Sequence, residues 1–129
     1  MSIIWQKKTE KRQEAYAALR LANPDRYNSI VRNTLYQNAK KRAKTEGKEF
    51  TIRKEDIPLV HVCPITGIDL HLNIGGIQGL NDSYSLDRRD SNLGYVPGNV
   101  FVMSWKANKA KGNLTLEDIE RLLKYMKGE

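Results

Sequence analysis

The sequence predicts an α+β protein that has a basic helical N-terminal arm, a core built from a β-hairpin and a helix, and a C-terminal helix. Three patterns support this prediction. Two long stretches with helical spacing lie within the first 46 residues, two strand-like runs precede a helical run over residues 83–111, and an amphipathic run follows from residue 115. A length of 129 residues suits one compact unit with an appended arm. We expect the arm to cover residues 1–56 and the core with its last helix to cover residues 57–129.

Two helices are predicted for the arm. The first covers about residues 5–22 and ends at Asn23, which can cap the second helix, while Pro24 suits the first position of that helix. The second helix runs to about residue 46, where Gly47 is a natural stop. It carries an apolar stripe at helical spacing: Tyr27, Ile30, Val31, Leu35, Ala39 and Ala43.

The middle of the chain is predicted to contain little regular structure. Residues 49–52 fit a short strand, residues 54–57 a turn of helix, and residues 60–62 another short strand that leads into a turn over residues 63–67. Residues 73–82 are rich in glycine but lack the lysine and the preceding apolar strand of a phosphate-binding loop. We therefore expect a flexible connection there.

The next segment predicts a β-hairpin followed by a helix. The elements are a strand over residues 83–86, a polar loop over 87–98, a strand over 99–103 and a helix over 105–111. The last helix is predicted to begin after Thr115, because the Thr115 hydroxyl and the Asp118 carboxylate form a pattern like a capping box. Its apolar residues keep helical spacing and predict a buried stripe: Leu116, Ile119, Leu122, Leu123 and Met126.

The charge of the chain is positive and unevenly placed. The sequence contains 22 lysines and arginines against 15 acidic residues, a formal net charge of +7. Residues 1–56 hold 14 basic and 7 acidic residues, so the whole excess lies there and the rest of the chain is balanced. This asymmetry indicates a polyanionic partner, with nucleic acid as the first candidate. The competing interpretation of the basic stretch at residues 40–44 is a solvated helix face.

Several classes of protein are disfavoured. No apolar run reaches the ~20 residues that span a bilayer, so we expect no membrane partner. The first residues are too short a run and too soon charged for a secretory signal, and we therefore expect a cytoplasmic protein. Cys63 is the only cysteine, which excludes an internal disulfide, and we expect it to be a small buried apolar residue.

Asp87 and Asn108 are the first candidate metal ligands. Asp87 follows the first predicted strand of the hairpin and Asn108 lies on the helix after it, so the two side chains can converge. One carboxylate and one amide oxygen, completed by water and phosphate oxygens, suit Mg²⁺. Asn99 could brace the intervening loop through hydrogen bonds from its side chain to the backbone. The competing interpretation makes these residues ordinary caps and turn residues.

The motifs resemble, in their order and spacing, those of the HNH endonucleases, which belong to the His-Me finger (ββα-metal) group, and most of all a phage-associated branch. The resemblance covers most of the chain from about residue 27 onward. The matching residues are Cys63-Pro64 with Gly67 and Leu70, Ser85-Leu86-Asp87-Arg88 with Asp90, Gly94-Tyr95-Val96 with Gly98-Asn99, and then Asn108 and Lys111.

This resemblance implies a ββα-metal core in which Asp87 and Asn108 bind a divalent metal, Mg²⁺ or Mn²⁺, and Asn99 orients the general base. It also implies a DNA endonuclease or nickase that hydrolyses phosphodiester bonds, in the host cytoplasm if a phage encodes it. Members of the family ordinarily carry a histidine directly after the metal-binding acid, but this chain carries Arg88. Because arginine stays protonated and cannot accept a proton, Arg88 could contact the scissile phosphate instead.

Four alternatives are open for the missing base. Asp90 takes that position if the chain is aligned with related nucleases that carry a DRGH motif. His61 or His71 could approach from the preceding segment, or a metal-activated water could attack without a protein base. In the fourth alternative, catalysis is lost and the protein acts on the nuclease scaffold as a nucleic-acid-binding or host-protein-interacting factor. A protein-binding inhibitor whose basic arm meets an acidic protein is a further interpretation.

Basic residues on the second helix and around the hairpin are predicted to bind DNA. They are Lys40, Lys41, Arg42, Lys44, Arg89, Lys106, Lys109 and Lys111. Tyr84, Tyr95 and Trp105 are expected either to stack on bases or to pack the small core beside the hairpin.

Overall fold

The computed structural model describes residues 3–73 and 80–129, and these form four α-helices, one turn of 3₁₀ helix and one two-stranded antiparallel sheet. The α+β class is therefore confirmed. The α-helices are α1 (Ile3–Ala22), α2 (Pro24–Glu46), α3 (Trp105–Lys111) and α4 (Leu116–Lys127), and the strands are β1 (Tyr84–Arg88) and β2 (Val100–Ser104). The 3₁₀ turn covers Lys54–Asp56. The centre of the predicted glycine-rich connection, residues 74–79, lies outside the described residues.

Helix α2 has the start and the end that the sequence predicts. The Asn23 side chain accepts a hydrogen bond from the Arg26 amide, and Pro24 occupies the first helical position. Gly47 ends the helix with a φ of 66°, a left-handed conformation that costs glycine little. The predicted stripe is buried except for Ile30, which is half-buried: Tyr27, Val31, Leu35, Ala39 and Ala43.

Strands β1 and β2 pair in a register that runs from Tyr84 opposite Ser104 to Arg88 opposite Val100. The first strand thus ends two residues later than predicted, because Asp87 and Arg88 continue the ladder opposite Phe101 and Val100 instead of opening the loop. Helix α3 follows directly and packs on both strands.

The hydrophobic core joins α2 to the hairpin. It contains the buried stripe of α2 together with Ile52, Ile57, Cys63, Leu70, Leu86, Tyr95, Val100, Val102, Met103 and Ala107. Cys63 is buried, as predicted, and its sulfur accepts hydrogen bonds from the backbone amides of Ser104 and Thr66. Since residues on both sides of position 56 share this core, the proposed division into an arm and a core at that position stays a prediction.

Two predicted strands in the middle of the chain are absent from the described structure. Within residues 49–52, only Phe50 forms a β-bridge, with Tyr95. The Glu49 carbonyl accepts the Tyr95 amide, while the Thr51 and Ile52 amides both donate to the Tyr95 carbonyl, so the segment pairs with the loop at this one residue, in parallel. Gly94 permits this close pairing, because a Cβ atom there would collide with the Glu49 carbonyl oxygen. Residues 60–62 contribute one bridge, from Val62 to Asp69.

The buried stripe predicted for α4 is wrong. The helix begins as predicted, since the Thr115 hydroxyl and the Asp118 carboxylate each accept the other's backbone amide. Its apolar residues, however, are between 38% and 76% exposed: Leu116, Ile119, Leu122, Leu123 and Met126. The physical reason is that no helix or strand among the described residues packs extensively on α4. Amphipathic spacing defines an apolar face but does not supply the surface that covers it.

None of the described helices is both long enough and apolar enough to cross a lipid bilayer.

Candidate functional site

The predicted metal ligands Asp87 and Asn108 lie close together, because side chains alternate between the two faces of β1 and because Asn108 and Lys111 lie one turn apart on α3. Ser85 and Asp87 are two residues apart and contact α3, where Asn108 and Lys111 are three residues apart. The Asn108 amide nitrogen donates to the Ser85 hydroxyl over 2.7 Å, and the Lys111 ammonium donates to the Asp87 carboxylate over 2.8 Å. The convergence of Asp87 and Asn108 therefore follows from two adjacent contacts between one strand and one helix.

Asp87 and Asn108 line the same cavity, which has a volume of about 240 Å³. Besides Asp87, its charged lining residues are Arg42, Glu46, Arg88, Lys109 and Lys111. Four cations and two carboxylates thus share the cavity, and this balance favours an anionic ligand. Helix α2, the hairpin and α3 all contribute, so the cavity exists only in the folded chain.

The ion pair between Asp87 and Lys111 is largely shielded from solvent. Their side chains are 13% and 23% exposed, and the Lys111 ammonium also donates to the Arg88 carbonyl over 3.0 Å. Lys111, predicted to contact DNA, is instead engaged with a carboxylate in this structure. A charge-assisted bond of this kind is stronger than a neutral one, and it holds the end of α3 against the end of β1.

A divalent metal is compatible with the donors in this cavity. Asp87 offers a carboxylate, and the Asn108 amide oxygen makes no hydrogen bond to any described residue. Among residues 3–73 and 80–129, no group of three His, Cys, Asp or Glu side chains could hold a metal ion. Mg²⁺ does not require such a group, because it commonly keeps several waters and takes one or two carboxylates together with substrate phosphates. The donor set fits Mg²⁺ in that form.

Arg88 holds the loop after β1. One guanidinium nitrogen donates to the Ser91 and Leu93 carbonyls, each over 3.0 Å, and the other lies 3.6 Å from the Glu46 carboxylate. The guanidinium carbon also lies 5.2 Å from the centre of the Tyr95 ring. Arg88 lines the cavity while it makes these contacts, and its role as a phosphate ligand stays a prediction.

Asn99 braces this loop in the way that the sequence predicts. Its side-chain oxygen accepts the Asp90 amide over 2.9 Å, and its side-chain nitrogen donates to the carbonyls of Asp90 and Gly94. Asn99 is 6% exposed, so water does not replace these bonds. The Asp90 carboxylate is exposed and accepts the Asn92 amide, as in an Asx turn. Asp90 does not line the cavity, and its role as a base stays a prediction.

Neither histidine lines the cavity that contains Asp87. The His61 ring lies 2.7 Å from the Tyr84 hydroxyl through its Nδ1 atom and packs beside Tyr27. Burial lowers the pKa of His61, and the nearby Arg20 and Arg32 lower this pKa further. Burial raises the pKa of Tyr84, which keeps the phenol protonated. His61 therefore belongs to a packed aromatic cluster.

A second cavity of about 470 Å³ adjoins the first, because Arg42, Leu86 and Trp105 line both. Its polar lining residues include Asn38, Lys41 and His71, together with three hydroxyl-bearing side chains of the loop and β1: Ser83, Tyr84 and Ser85. No carboxylate of the described residues lines it. The two cavities form a groove between α2 and the hairpin, with the Trp105 ring at their junction.

Arg42 and Glu46 of α2 line the cavity, although neither residue is predicted from the sequence to lie beside Asp87. Arg42 is predicted to bind DNA, and in the structure its guanidinium donates to the Leu86 carbonyl over 3.2 Å and to the Tyr95 hydroxyl over 3.3 Å. A signal for this position exists in the sequence. Arg42 follows Leu35 by seven residues and Ala39 by three, and so continues the buried stripe of α2.

The other predicted DNA contacts are exposed. Lys40, Lys41 and Lys44 of α2, together with Lys48, line a shallow hollow over Ala43 and Phe50. Lys106 and Lys109 lie on the exposed face of α3, and Arg89 packs its guanidinium 3.9 Å from the centre of the Phe101 ring. Basic side chains thus flank the groove on the sides of both α2 and α3.

The chain matches no protein-family model, no curated protein and no solved structure. The resemblance to HNH endonucleases accordingly stays a prediction that is based on the motifs.

Proposed function

We propose that this protein is a metal-dependent DNA endonuclease or nickase of the HNH type, with β1, β2 and α3 as its ββα-metal core. One observation carries the proposal. Asp87 and Asn108, which are 21 positions apart in the sequence, line one small cavity whose other charged residues are mostly cations. This is the pairing that the motif resemblance assigns to metal binding, and the cations suit a phosphate beside it.

Asp87 and Asn108 would hold Mg²⁺ or Mn²⁺ through a carboxylate oxygen and an amide oxygen. When bound, the metal supplies a Lewis acid that polarises a phosphate oxygen and stabilises the charge that develops there. Lys111 keeps its positive charge in the cavity, whether it stays on Asp87 or turns to a phosphate oxygen. Arg42 and Lys109 add to the attraction for the DNA backbone.

Arg88 and Asn99 act as positioning residues in this proposal. Both bind backbone carbonyls of the loop between β1 and β2, and Asn99 also binds the Asp90 amide. They therefore fix the backbone that follows Asp87, so that the carboxylate keeps its place when DNA enters. A preorganised site avoids the cost of ordering this loop during the reaction.

Glu46 is the candidate proton acceptor. Among the described residues, Asp87 and Glu46 are the carboxylates that line the cavity, and no histidine lines it. With Asp87 assigned to the metal, Glu46 is the side chain left that can accept a proton from the attacking water. The Glu46 carboxylate lies 3.6 Å from the guanidinium of Arg88, the residue at the sequence position where the HNH family would carry its histidine.

The test is cleavage of a plasmid or labelled duplex in Mg²⁺ by the parent protein and by Asp87→Ala, both purified free of host nuclease. We expect cleavage by the parent, none in EDTA, and a loss of at least 100-fold in Asp87→Ala. Asp69→Ala is the matched control, because Asp69 is exposed and does not line the cavity, and it should cut like the parent. Equal cleavage by Asp87→Ala and the parent would refute the proposal.

A second candidate function is DNA binding without cleavage. It is favoured by the Lys111 ammonium, which already gives Asp87 the positive partner that a metal would give, and by the arginine in the position of the family's histidine. Calorimetry distinguishes the two functions. Mn²⁺ uptake that Asp87→Ala abolishes supports the nuclease, whereas DNA binding without metal uptake or cleavage supports the second function.

A further inference from the structure

Helix α4 presents an uncovered apolar face. Leu116 and Met126 are 75% and 76% exposed, and Leu123 is 53% exposed, although α4 has the most strongly amphipathic pattern of the described helices. Scattered exposed leucines are normal on protein surfaces, but a contiguous apolar face on one helix marks an interaction site. This feature is independent of the cavity that contains Asp87, since no α4 residue lines that cavity.

The spacing on this face fits a helix–helix seam. Leu116, Ile119, Leu123 and Met126 follow one another by three, four and three residues, which are the a and d positions of two heptads. Residues at this spacing form a narrow stripe that interdigitates with another helix crossing at a shallow angle. The partner that fits such a stripe is a second amphipathic helix.

The charges of α4 indicate which helix that partner is. Its acidic residues Glu117, Asp118 and Glu120 all precede its basic residues, which are Arg121, Lys124 and Lys127. A parallel pair of α4 helices would place like charges together, whereas an antiparallel pair places opposite charges together. Antiparallel packing also opposes the two helix dipoles. The surface of α4 is therefore complementary to itself.

The residues that flank the seam support the same arrangement. Glu120 and Lys127 both occupy the position after a d residue, on one side of the stripe. Side chains of a helix lean towards its N-terminus. In an antiparallel pair, Glu120 of one subunit and the partner subunit's Lys127 therefore lean towards each other. The two-fold axis produces this ion pair twice. A parallel pair offers no opposite charges at these flanking positions.

We propose that α4 is a dimer interface that packs antiparallel on α4 of a second copy of this chain. Leu116 then meets Met126 of the partner subunit, and Ile119 meets Leu123 of the partner subunit. The interface is isologous, the form that two-fold dimers take. A helix of 12 residues is about 18 Å long, so the dimer is small and its population depends on protein concentration.

The first test is sedimentation equilibrium of the full chain over a wide range of concentration. We expect a monomer–dimer equilibrium in the parent and at least a tenfold weaker dimer in Leu123→Asp. Tyr125→Asp is the matched control, because Tyr125 is a large exposed residue of α4 off the seam, and its dimer should match that of the parent. Circular dichroism confirms that both variants are folded. A parent that is monomeric throughout, or equal effects of the two substitutions, would overturn the proposal.

The second test measures orientation by disulfide crosslinking. Leu116→Cys and Met126→Cys should each crosslink poorly with itself, but a mixture of the two variants should crosslink readily. Self-crosslinking of each variant, with no gain in the mixture, would contradict the antiparallel arrangement. Cys63 is 1% exposed, and the parent protein controls for its reaction. Lys127→Glu should weaken the dimer at low salt, and the double exchange of Glu120→Lys with Lys127→Glu should restore it.

Discussion

The Lys111 ammonium lies 2.8 Å from the Asp87 carboxylate, an ion pair that joins the last turn of α3 to the end of β1. It places a fixed positive charge against the carboxylate proposed to bind metal. The pair therefore has two consequences, one for stability and one for metal affinity, and a single substitution separates them.

Lys111→Met should lower the free energy of unfolding and make that free energy depend on Mn²⁺. The substitution leaves the Asp87 carboxylate shielded from water without its cation, at a cost of about 1–3 kcal/mol in the free energy of unfolding. A metal at Asp87 replaces the lost charge, so added Mn²⁺ should restore part of this loss. Urea denaturation with and without Mn²⁺ measures both effects. Lys106→Met, which removes an exposed lysine of the same helix that does not line the cavity, is the control, and an equal Mn²⁺ effect in both variants would contradict the metal assignment.

Asn99→Ala should destabilise the protein by about 2 kcal/mol, because it removes three hydrogen bonds at a buried position and leaves backbone groups of Asp90 and Gly94 without their partners. Thermal and chemical denaturation measure this loss. Asn99→Asp keeps the acceptor for the Asp90 amide but faces two carbonyls with a carboxylate, so it should be no more stable than Asn99→Ala. Asn92→Ala, at an exposed position of the same loop, should be nearly neutral.

The convergence of Asp87 with Asn108 could be predicted from the sequence because it depends on local order. A strand, a loop, a strand and a helix in immediate succession leave few ways to pack, and the hairpin register with the Ser104 cap then sets the position of Asn108. The same reasoning found the brace at Asn99, whose partners lie within nine residues.

Contacts between distant segments could not be predicted in this way. Glu46 reaches the cavity because α2 packs on β1, and hydrophobic periodicity predicts a buried helix face without identifying the strand that it contacts. The pairing of residues 49–52 with Tyr95 depends on the close approach of Gly94 to Glu49, which no local pattern shows. The prediction that the apolar stripe of α4 is buried was wrong for the same reason, since the spacing of apolar residues does not show whether the surface that covers them belongs to this chain.

The stability of the protein should fall as the pH is lowered through the range below about 6.5, the ordinary pKa of histidine. Burial and two arginines lower the pKa of His61 in the folded chain, so the unfolded chain takes up a proton at a higher pH than the folded chain does. Below this pH, protons bind the unfolded chain first and the free energy of unfolding falls. The contribution of neutral His61 to stability is fully present above pH 6.5. His61→Gln should flatten this part of the profile of unfolding free energy against pH, and an unchanged slope in this variant would contradict the prediction.

The fluorescence of Trp105 should report DNA in the groove. Trp105 lines both adjoining cavities, and Trp5→Phe leaves it as the only tryptophan. A single-stranded oligonucleotide in EDTA should quench its emission, because bases stack on exposed indole rings. Lys41→Ala should raise the concentration needed for quenching without changing its extent. Binding detected by anisotropy with no change in emission would place the DNA elsewhere on the protein.

Glu46→Gln should lower the rate of DNA cleavage by roughly 100-fold, the usual contribution of a general base, while DNA affinity stays within a few-fold of the parent. The amide keeps the size of the side chain but accepts protons poorly, and it also weakens the contact with Arg88. The profile of cleavage rate against pH separates these two effects, since the loss of a base removes the rise in rate on the acidic side and a displaced arginine does not. Asp90→Asn is the matched substitution at the rival position. If Asp90→Asn abolishes the rise in cleavage rate on the acidic side of the pH profile and Glu46→Gln retains it, the general base is Asp90 of the loop and not Glu46 of α2.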